Sequence, residues 1–140
     1  MSPLAADRVI RVVSAAIVQA GALLLVRKRG TAAFMLPGGK AEAGETEIET
    51  LARELDEELG CRLQDGGLAL LGRFEAPAAN EPGFIVRSAV YRGALDDAPA
   101  VRAEIEEMWW FDLKTRPAPG GPVLAPLLRD HVLPALGTCG

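Results

Sequence analysis

Cysteine and histidine are scarce in this 140-residue chain, which has two cysteines and one histidine. Cys61 and Cys139 are too few and too far apart for a disulfide framework, and no CxxC or mixed Cys/His cluster is present to hold zinc. His131 belongs to no motif and is interpreted as a surface or helix-capping residue. The scarcity of cysteine bridges favours a reducing, cytoplasmic environment.

The chain also lacks an excess of positive charge. It has 15 Lys and Arg residues against 19 Asp and Glu residues, a formal net charge of -4. A protein that binds nucleic acid stably is expected to have a basic stripe, so the balance argues against that class. A small phosphorylated substrate is still compatible with this charge, because a divalent metal ion can supply positive charge locally.

A long uninterrupted apolar segment is missing as well. The longest apolar stretch, residues 9–26, is interrupted by Arg11 and Gln19 and is followed by three basic residues. No small-residue cleavage site comes after it, which argues against a secretory signal peptide. Its Val and Ile content and the break at residues 19–21 predict two strands joined by a tight turn. We therefore expect no membrane-spanning helix and no membrane partner.

Hydrophobic periodicity and turn residues divide the chain into strands and two helices. We predict a single domain over residues 1–140, in which residues 1–7 form a flexible tail. Strands are predicted at residues 9–19, 22–28, 34–36, 68–75, 84–95 and 108–111. The second helix is predicted at residues 123–136, and its inward-facing residues are Leu124, Leu127, Leu128, Val132 and Leu136. This order predicts an α/β fold, a mixed β-sheet flanked by helices.

The first helix has clear signals at both ends. Thr46 and Glu49 form a capping-box sequence, in which each side chain satisfies a backbone donor at the helix N-terminus. Gly60 is a residue of the kind that ends helices in the left-handed conformation. The positions predicted to share the buried face are Ile48, Leu51, Ala52, Leu55 and Leu59. The glutamates of this helix are then expected at the edge of the apolar stripe.

Acidic residues are concentrated on the same helix, after a glycine-rich loop. Arg53 and Glu54 are followed one turn later by Glu57 and Glu58. Because residues three and four apart are neighbours on a helix, the three glutamates converge on one small volume. Carboxylates gathered in this way repel one another unless a cation lies among them, so the pattern implies a bound metal ion. Oxygen-only ligands suit Mg²⁺ or Mn²⁺ better than zinc.

The spacing of these residues resembles the Nudix box, Gly-x5-Glu-x7-Arg-Glu-U-x-Glu-Glu-x-Gly-U, in which U is a bulky aliphatic residue. The matching positions are Gly39, Glu45, Arg53, Glu54, Leu55, Glu57, Glu58 and Gly60. Cys61 stands at the last aliphatic position, where a small and commonly buried residue is a mild replacement, and we expect it to be inert. The resemblance covers nearly the whole chain and implies the Nudix α/β/α sandwich.

The resemblance also implies roles for individual residues. The groups that match cation ligands of the family are the Gly38 carbonyl, Glu54, Glu57 and Glu58. Arg53 would orient a glutamate through a charge-assisted pair, and Glu45 would help to hold the loop against the helix. Glu104 matches the spacing of a further metal ligand or general base, with an exposed acidic turn as the alternative.

Substrate contacts are less well defined by the sequence. Basic residues at the end of the second strand are candidates for phosphate contacts, with a solvated strand end as the alternative. Candidate substrate-binding residues are Arg27, Arg29, Phe34, Asn80 and Phe84, with Lys28 beside the two arginines. Trp109 or Trp110 is a further candidate for stacking on a base, and core packing is the other interpretation of these residues.

The activity implied by the resemblance is hydrolysis of a nucleoside diphosphate linked to a group X, with Glu54 or Glu104 as general base. The short chain resembles compact MutT-like members, which cleave (deoxy)nucleoside triphosphates, including oxidised ones. Pro77 lies sixteen residues after Cys61, a spacing similar to a marker of ADP-ribose-cleaving members. An ADP-ribose or nucleotide-sugar pyrophosphatase is therefore the alternative.

A nucleotide-sensing Nudix domain without catalytic activity is the remaining alternative. Such domains typically lose glutamates of the box, whereas this chain retains Glu54, Glu57 and Glu58. An enzyme is therefore the favoured interpretation. Its expected partner is a nucleotide-type small molecule, and both a monomer and a homodimer are compatible with the sequence.

Overall fold

The computed structural model describes residues 8–64, 66–114 and 122–137. The tail predicted at residues 1–7 and Cys139 lie outside the described residues. The strands are β1 Val9–Gln19, β2 Ala22–Lys28, β3 Ala33–Phe34, β4 Gly38–Gly39, β5 Ala69–Pro77, β6 Ile85–Gly93, β7 Ile105–Asp112 and β8 Val123–Leu124. The helical elements are α1 Glu47–Leu59, a π-helical turn Leu128–Val132 and α2 Leu133–Ala135. None of the helices in the described part of the chain is long and apolar enough to cross a membrane.

The main sheet is mixed and has the strand order β5-β6-β1-β2-β7. The central pair β1 and β6 is parallel, whereas the other neighbours in this order are antiparallel. Strands β1 and β2 form the predicted hairpin, and its two turn residues, Ala20 and Gly21, both have positive φ. Positive φ at both central residues is typical of the tight hairpin turn that matches strand twist. The predicted hairpin and mixed sheet are confirmed.

Strands β1 and β2 separate soon after their turn. Their paired residues lie next to the turn, Val18 with Leu23 and Gln19 with Ala22. Farther along, β4 pairs with β1, and Met35 forms an isolated antiparallel bridge to Val26 on β2. The Ala15 N–H also donates to the Pro37 carbonyl at 2.9 Å. Residues 35–39 are thus inserted between the two strands, and the opening they create positions the site described below.

Each face of the sheet is covered by a helical layer. On one face, Val13, Ala15 and Ile17 of β1 pack with Leu51 and Leu55 of α1 in a continuous buried cluster. Side chains alternate along a strand, so the next residues of β1 and β2 point to the opposite face. There Ala16, Leu23 and Leu25 pack with Leu128 and Val132 of the C-terminal segment. The predicted sheet between helices is confirmed.

The ends of α1 agree with the prediction. The Glu49 N–H donates to the Thr46 hydroxyl at 3.1 Å, and the Thr46 N–H donates to the Glu49 carboxylate at 2.9 Å. Gly60 has φ 61° and ψ 29°, the left-handed conformation that closes the helix. Glu47 lies in the first turn of α1, and it binds Arg73 of β5 and the Tyr91 hydroxyl of β6.

The predicted buried face of α1 was wrong at two positions. Leu51, Leu55 and Leu59 are fully buried, but Ile48 is 42% exposed and Ala52 is also exposed. Thr50 and Glu58 are buried in their place. The helix is rotated toward the opening between β1 and β2, because Thr50 and Glu58 hydrogen-bond to Glu45 and Gly38 of the preceding loop.

The second helix was predicted to begin too early. Residues Val123 and Leu124 instead form β8, which pairs in parallel with β3, and the helical conformation starts at Pro126. Proline is favoured at a first helical position, because its missing N–H would have no helical partner there. Leu124, Leu127, Leu128 and Val132 are buried as predicted, while Leu136 is half-buried.

Several strand bounds also differ from those predicted. Strand β5 begins one residue later and ends two residues later than residues 68–75, and β6 is shorter than residues 84–95. Strand β7 begins at Ile105 instead of residue 108, because its pairing with β2 extends to Lys28 through a register shift. The extended piece predicted at residues 34–36 is divided between β3 and the Met35 bridge.

Candidate active site

A cavity of about 850 Å³ lies at the opening between β1 and β2. Cavities of roughly 300 to 1,000 Å³ are typical of small-molecule sites. The residues predicted from the sequence that line it are Arg29, Gly38, Arg53, Glu54, Glu57, Glu58, Asn80 and Glu104. The structure thus brings the predicted acidic residues and the glycine-rich loop to one cavity.

The loop glycines fit between β1 and α1 because they have no side chain. Gly38 has φ 148°, and a Cβ added there would overlap the Val13 carbonyl oxygen. A Cβ added at Gly39 would lie 2.5 Å from the carboxylate carbon of Glu54 and 2.6 Å from one of the carboxylate oxygens. The loop backbone therefore contacts β1 through Gly38 and the Glu54 carboxylate through Gly39.

Glu58 is the most buried carboxylate of the cavity, at 7% exposed. The Gly38 N–H donates to its Oε1 atom at 3.2 Å. Burial raises its pKa to about 7, and the charges of Glu54 and Glu57 add to that effect, while the Gly38 N–H and the Lys28 charge oppose it. The expectation that all box glutamates lie at the edge of the apolar stripe was therefore wrong for Glu58.

Arg53 joins the loop to the acidic face of α1. Its Nε donates to Glu45 Oε2 at 2.7 Å, and its Nη2 donates to Glu45 Oε1 at 3.0 Å. Nη1 donates to Glu54 at 2.9 Å and, more weakly, to Glu57 at 3.4 Å. Nη2 also donates to the Lys40 carbonyl at 2.9 Å. The bonds to Glu45 first, and then to Glu54, raise the pKa of Arg53 above its ordinary value, while burial opposes them.

Glu45 anchors the loop at the other end of this network. Besides Arg53, its carboxylate accepts the Glu42 N–H at 2.8 Å and the Thr50 hydroxyl at 3.1 Å. The Arg53 guanidinium and the Glu42 N–H lower the pKa of Glu45 to about 2. Glu45 thus holds the loop against α1, in agreement with the contact expected from the sequence.

Glu104 is an exposed residue of the loop before β7, and it also lines the cavity. The loop is attached to the end of α1, because the N–H groups of Ala100 and Arg102 donate to the Leu59 and Glu58 carbonyls, each at 2.9 Å. Ala103 has a positive φ of 52°, and the Glu104 carbonyl accepts the Arg29 N–H at 2.7 Å. The fold therefore places Glu104 beside the box helix.

The fold places some of the predicted substrate-binding residues in the cavity wall and others outside it. Arg29 and Asn80 line the cavity, as do Lys28 and Lys40. The Arg27 guanidinium instead pairs with Glu107 at 2.9 Å and with the Thr31 carbonyl at 2.7 Å. Phe34 is buried with its ring centroid 5.3 Å from that of Trp109, and Phe84 is a half-buried loop residue. These last three residues are not part of the cavity wall.

The remaining cavity wall carries residues that were not predicted as site residues. They include Ile10, Val12 and Ser14 of β1, Val86 and Ser88 of β6, and Leu127 and Leu128 of the C-terminal segment. Trp109 and Trp110 pack against the two opposite cores. The strand residues lie within predominantly apolar stretches, so the sequence contained no signal that distinguished them from core residues.

The donor chemistry of the cavity fits Mg²⁺ or Mn²⁺. Its carboxylates and loop carbonyls are oxygen donors, and burial together with the charges of Glu54 and Glu57 raises the pKa of Glu58, an effect that a bound cation would offset. In the present side-chain arrangement, residues 8–64, 66–114 and 122–137 contain no group of three His, Cys, Asp or Glu residues placed to hold one ion. Glu54 and Glu57 both point to Arg53 in this arrangement.

Comparison with solved structures identifies the fold. The MutT NUDIX hydrolase from Burkholderia pseudomallei is 27% identical, with a TM-score of 0.71 over 94% of this chain and 98% of that chain. A NUDIX hydrolase from Nitrosomonas europaea is also 27% identical, with a TM-score of 0.62 over 74% of this chain and 72% of that one. A UDP-X diphosphatase is 22% identical with a TM-score of 0.74, and the chain covers 62% of its length. The predicted Nudix sandwich is confirmed.

Sequence comparison gives the family directly. A family model described as the NUDIX domain matches residues 8–131, which include both the box and the cavity walls. None of the curated proteins matches the sequence. On the family match and the shared fold, this chain belongs to the NUDIX domain family.

Proposed function

We propose that this protein hydrolyses a pyrophosphate bond in a nucleoside diphosphate linked to a group X, with a divalent metal ion. The favoured substrates are (deoxy)nucleoside triphosphates, including oxidised ones. The observation that carries the proposal is the burial of Glu58 beside Glu54 and Glu57. All three glutamates line one cavity together with the Gly38–Gly39 loop. A solvated acidic helix face would leave the burial of Glu58 and its bond to the loop unexplained.

The proposed ligands of Mg²⁺ or Mn²⁺ are the Gly38 carbonyl, Glu54, Glu57, Glu58 and Glu104. When bound, such an ion neutralises phosphate charge and lowers the pKa of a bound water. Arg53 orients Glu54 and Glu57 relative to the loop, since one guanidinium contacts both carboxylates and Glu45. Lys28, Arg29 and Lys40 line the same cavity and are the candidates for phosphate contacts.

Two glutamates are candidates for the general base. Glu54 is half-buried, and its carboxylate accepts a hydrogen bond from Arg53, which fixes its orientation. Glu104 is exposed at the cavity and is carried by a loop bound to the end of α1. Either residue can take a proton from a water in the cavity, provided that the water lies within hydrogen-bond distance of its oxygen.

An ADP-ribose or nucleotide-sugar pyrophosphatase is the second candidate. It is supported by Pro77, the residue whose spacing resembles the ADP-ribose marker, because Pro77 lines the cavity. The two candidates share the chemistry at the phosphates and differ in the group that occupies the rest of the cavity. They are distinguished by substrate preference, which we propose to measure directly.

The test is hydrolysis of a substrate panel in Mg²⁺ by the native protein and two variants. The panel contains nucleoside triphosphates, oxidised dGTP, ADP-ribose, dinucleoside polyphosphates and nucleotide sugars. We expect Glu57→Gln, which removes a proposed metal ligand, to lower kcat/KM on the order of 10²-fold. Glu75→Gln is the matched control, because Glu75 also pairs with an arginine, Arg87, but lies outside the cavity wall.

Each outcome has a definite meaning. Metal-dependent release of a nucleoside monophosphate that is lost in Glu57→Gln and retained in Glu75→Gln supports the hydrolase. The preferred member of the panel then decides between the two candidate substrate classes. Nucleotide binding without hydrolysis of any panel member would overturn the proposal in favour of a nucleotide-sensing domain.

A further inference from the structure

The cavity changes in character along β1. Ser14 is paired with Gly38, whose N–H donates to Glu58, and Val12 and Ile10 follow on the same face of the strand, the face opposite α1. Residues two apart on a strand are separated by about 6.7 Å, so these three side chains form a row extending away from Gly38. The cavity therefore has an acidic end, a hydroxyl position beside it and an aliphatic end.

The hydroxyl position consists of two buried serines on neighbouring strands. Ser14 is 8% exposed and Ser88 of β6 is 1% exposed, and both line the cavity. Their Oγ atoms lie 3.0 Å apart, and Ser88 Oγ is also 3.2 Å from the Ala89 carbonyl oxygen. The chain has three serines in all, so two of them are paired in this one place.

The hydrogen-bonding capacity of the pair exceeds the bonds it makes within the protein. A serine hydroxyl has one proton and two acceptor lone pairs. When Ser88 donates to the Ala89 carbonyl, Ser14 donates to Ser88 and keeps free lone pairs. When Ser88 donates to Ser14, the proton of Ser14 is available to the cavity. The pair can therefore present either an acceptor or a donor to a ligand.

The other side chains around this position are mostly aliphatic. Val12 and Val86 lie beside the serines on the sheet, and Leu127 and Leu128 line the cavity from the C-terminal segment. A ligand hydroxyl in such surroundings needs a partner, because burying it without a hydrogen bond is costly. The two serines provide that partner between the acidic end and the aliphatic end.

We propose that the Ser14–Ser88 hydroxyl pair binds a sugar hydroxyl of a nucleoside substrate whose base occupies the aliphatic end of the cavity. This inference rests on the proposed function in one respect, that the phosphates lie at the acidic end. The order of the cavity then matches that of a nucleotide. Carboxylates and cations contact the phosphates, hydroxyls contact the sugar, and Val12, Ile10 and Val86 contact the base.

The decisive variants are Ser14→Thr and Ser14→Val, which have the same shape and differ in the hydroxyl. We expect the native protein and Ser14→Thr to prefer a ribonucleoside triphosphate over its 2′,3′-dideoxy form. In Ser14→Val the ratio of the two kcat/KM values should fall roughly 2- to 12-fold, the effect of one neutral hydrogen bond. Thermal unfolding of both variants establishes that they are folded to the same extent.

A second measurement does not depend on hydrolysis. Adenosine or guanosine is titrated into the metal-free protein, and backbone amide shifts are followed by NMR. We expect shifts in residues 10–14 and 86–88, with weaker binding of the 2′,3′-dideoxy nucleosides and of Ser14→Val. If nothing in the panel is hydrolysed but these shifts occur, the proposed activity fails and this inference stands.

Four results would each overturn the inference while leaving the hydrolase intact. The first is a kcat/KM ratio for the ribose and dideoxy forms that is unchanged in Ser14→Val. The second is nucleoside binding that leaves the amides of both strands unshifted, and the third is no nucleoside binding at all. The fourth is an equal loss of preference in Ser14→Thr and Ser14→Val, which would exclude a role for the hydroxyl.

Discussion

Arg53 and Glu45 form a two-point ion pair, with Arg53 Nε 2.7 Å from Glu45 Oε2 and Nη2 3.0 Å from Oε1. The same guanidinium contacts Glu54 and Glu57, so the loop anchor and the acidic face share one cation. A planar guanidinium can satisfy several carboxylates in fixed directions, whereas a lysine ammonium is a single point charge. The position of the acidic residues therefore depends on arginine at this site.

The first prediction concerns replacement of Arg53 by lysine. We expect Arg53→Lys to lower kcat/KM roughly 10- to 100-fold, the usual effect of losing a residue that orients metal ligands. Arg73→Lys is the matched control, because Arg73 also forms a two-point pair, with Glu47 at the start of α1, outside the cavity. Equal activity losses in the two variants would show that Arg53 acts through the general stability of α1.

The second prediction concerns acid stability. The folded-state pKa of Glu45 is lowered from 4.5 to about 2, chiefly by Arg53. A lowered pKa means that the interaction stabilises the fold above pH 4.5 and is lost as pH falls toward 2. We expect the difference in free energy of unfolding between native protein and Glu45→Gln to shrink as the pH falls from about 5.5 to about 2. Urea denaturation of metal-free samples measures it, and a pH-independent difference would contradict the assignment.

The third prediction separates position from stability at the loop. A Cβ at Gly39 would meet the end of the flexible Glu54 side chain at 2.5 Å, so the carboxylate can move away at little cost to the fold. We expect Gly39→Ala to change the unfolding free energy by less than about 1 kcal/mol. Displacement of Glu54 by about 1 Å should nevertheless lower kcat/KM on the order of 10²-fold.

Gly67→Ala is the control for that experiment. An added Cβ there has its nearest neighbour at 3.8 Å, an ordinary contact in a loop outside the cavity wall. Its activity should match that of the native protein. Full activity in Gly39→Ala would mean that the Glu54 position seen here is not required for catalysis.

The fourth prediction tests the rotation of α1. Ile48 is 42% exposed and Leu51 is fully buried, although both were expected on the apolar face. We expect Ile48→Ala to change the unfolding free energy by no more than about 0.5 kcal/mol. Leu51→Ala should cost about 2 to 5 kcal/mol through lost burial and an unfilled cavity. Similar costs for both substitutions, measured by urea denaturation, would place Ile48 in the core after all.

The successful predictions depended on local patterns. The box helix has its start at the Thr46–Glu49 capping box and its end at Gly60, where neighbouring residues supply the caps. The hairpin of β1 and β2 was predicted from two apolar runs and the break at Ala20 and Gly21. In each case the signal and the structure it predicts lie within a few residues of each other.

The rotation of α1 and the burial of its glutamates were decided by tertiary contacts. The apolar stripe of an isolated helix is broad enough to include Ile48 as well as Leu51. The loop selects one rotation, because Gly38 and Glu45 bind Glu58 and Thr50. Similarly, no local pattern marks Val123 and Leu124 as a strand, since their partner β3 lies about ninety residues earlier in the chain.

The sequence by itself determined the acidic helix, its caps, the glycine-rich loop and the strands of the hairpin, because each depends on residues close together in the chain. The tertiary structure alone decided which other residues join them at the cavity. Asn80, Ser14 and Ser88 were brought there and Arg27 and Phe34 were not, since strand pairing and the insertion of residues 35–39 between β1 and β2 fix which side chains meet. Contacts between distant segments depend on how the whole chain packs, and no single segment contains that information.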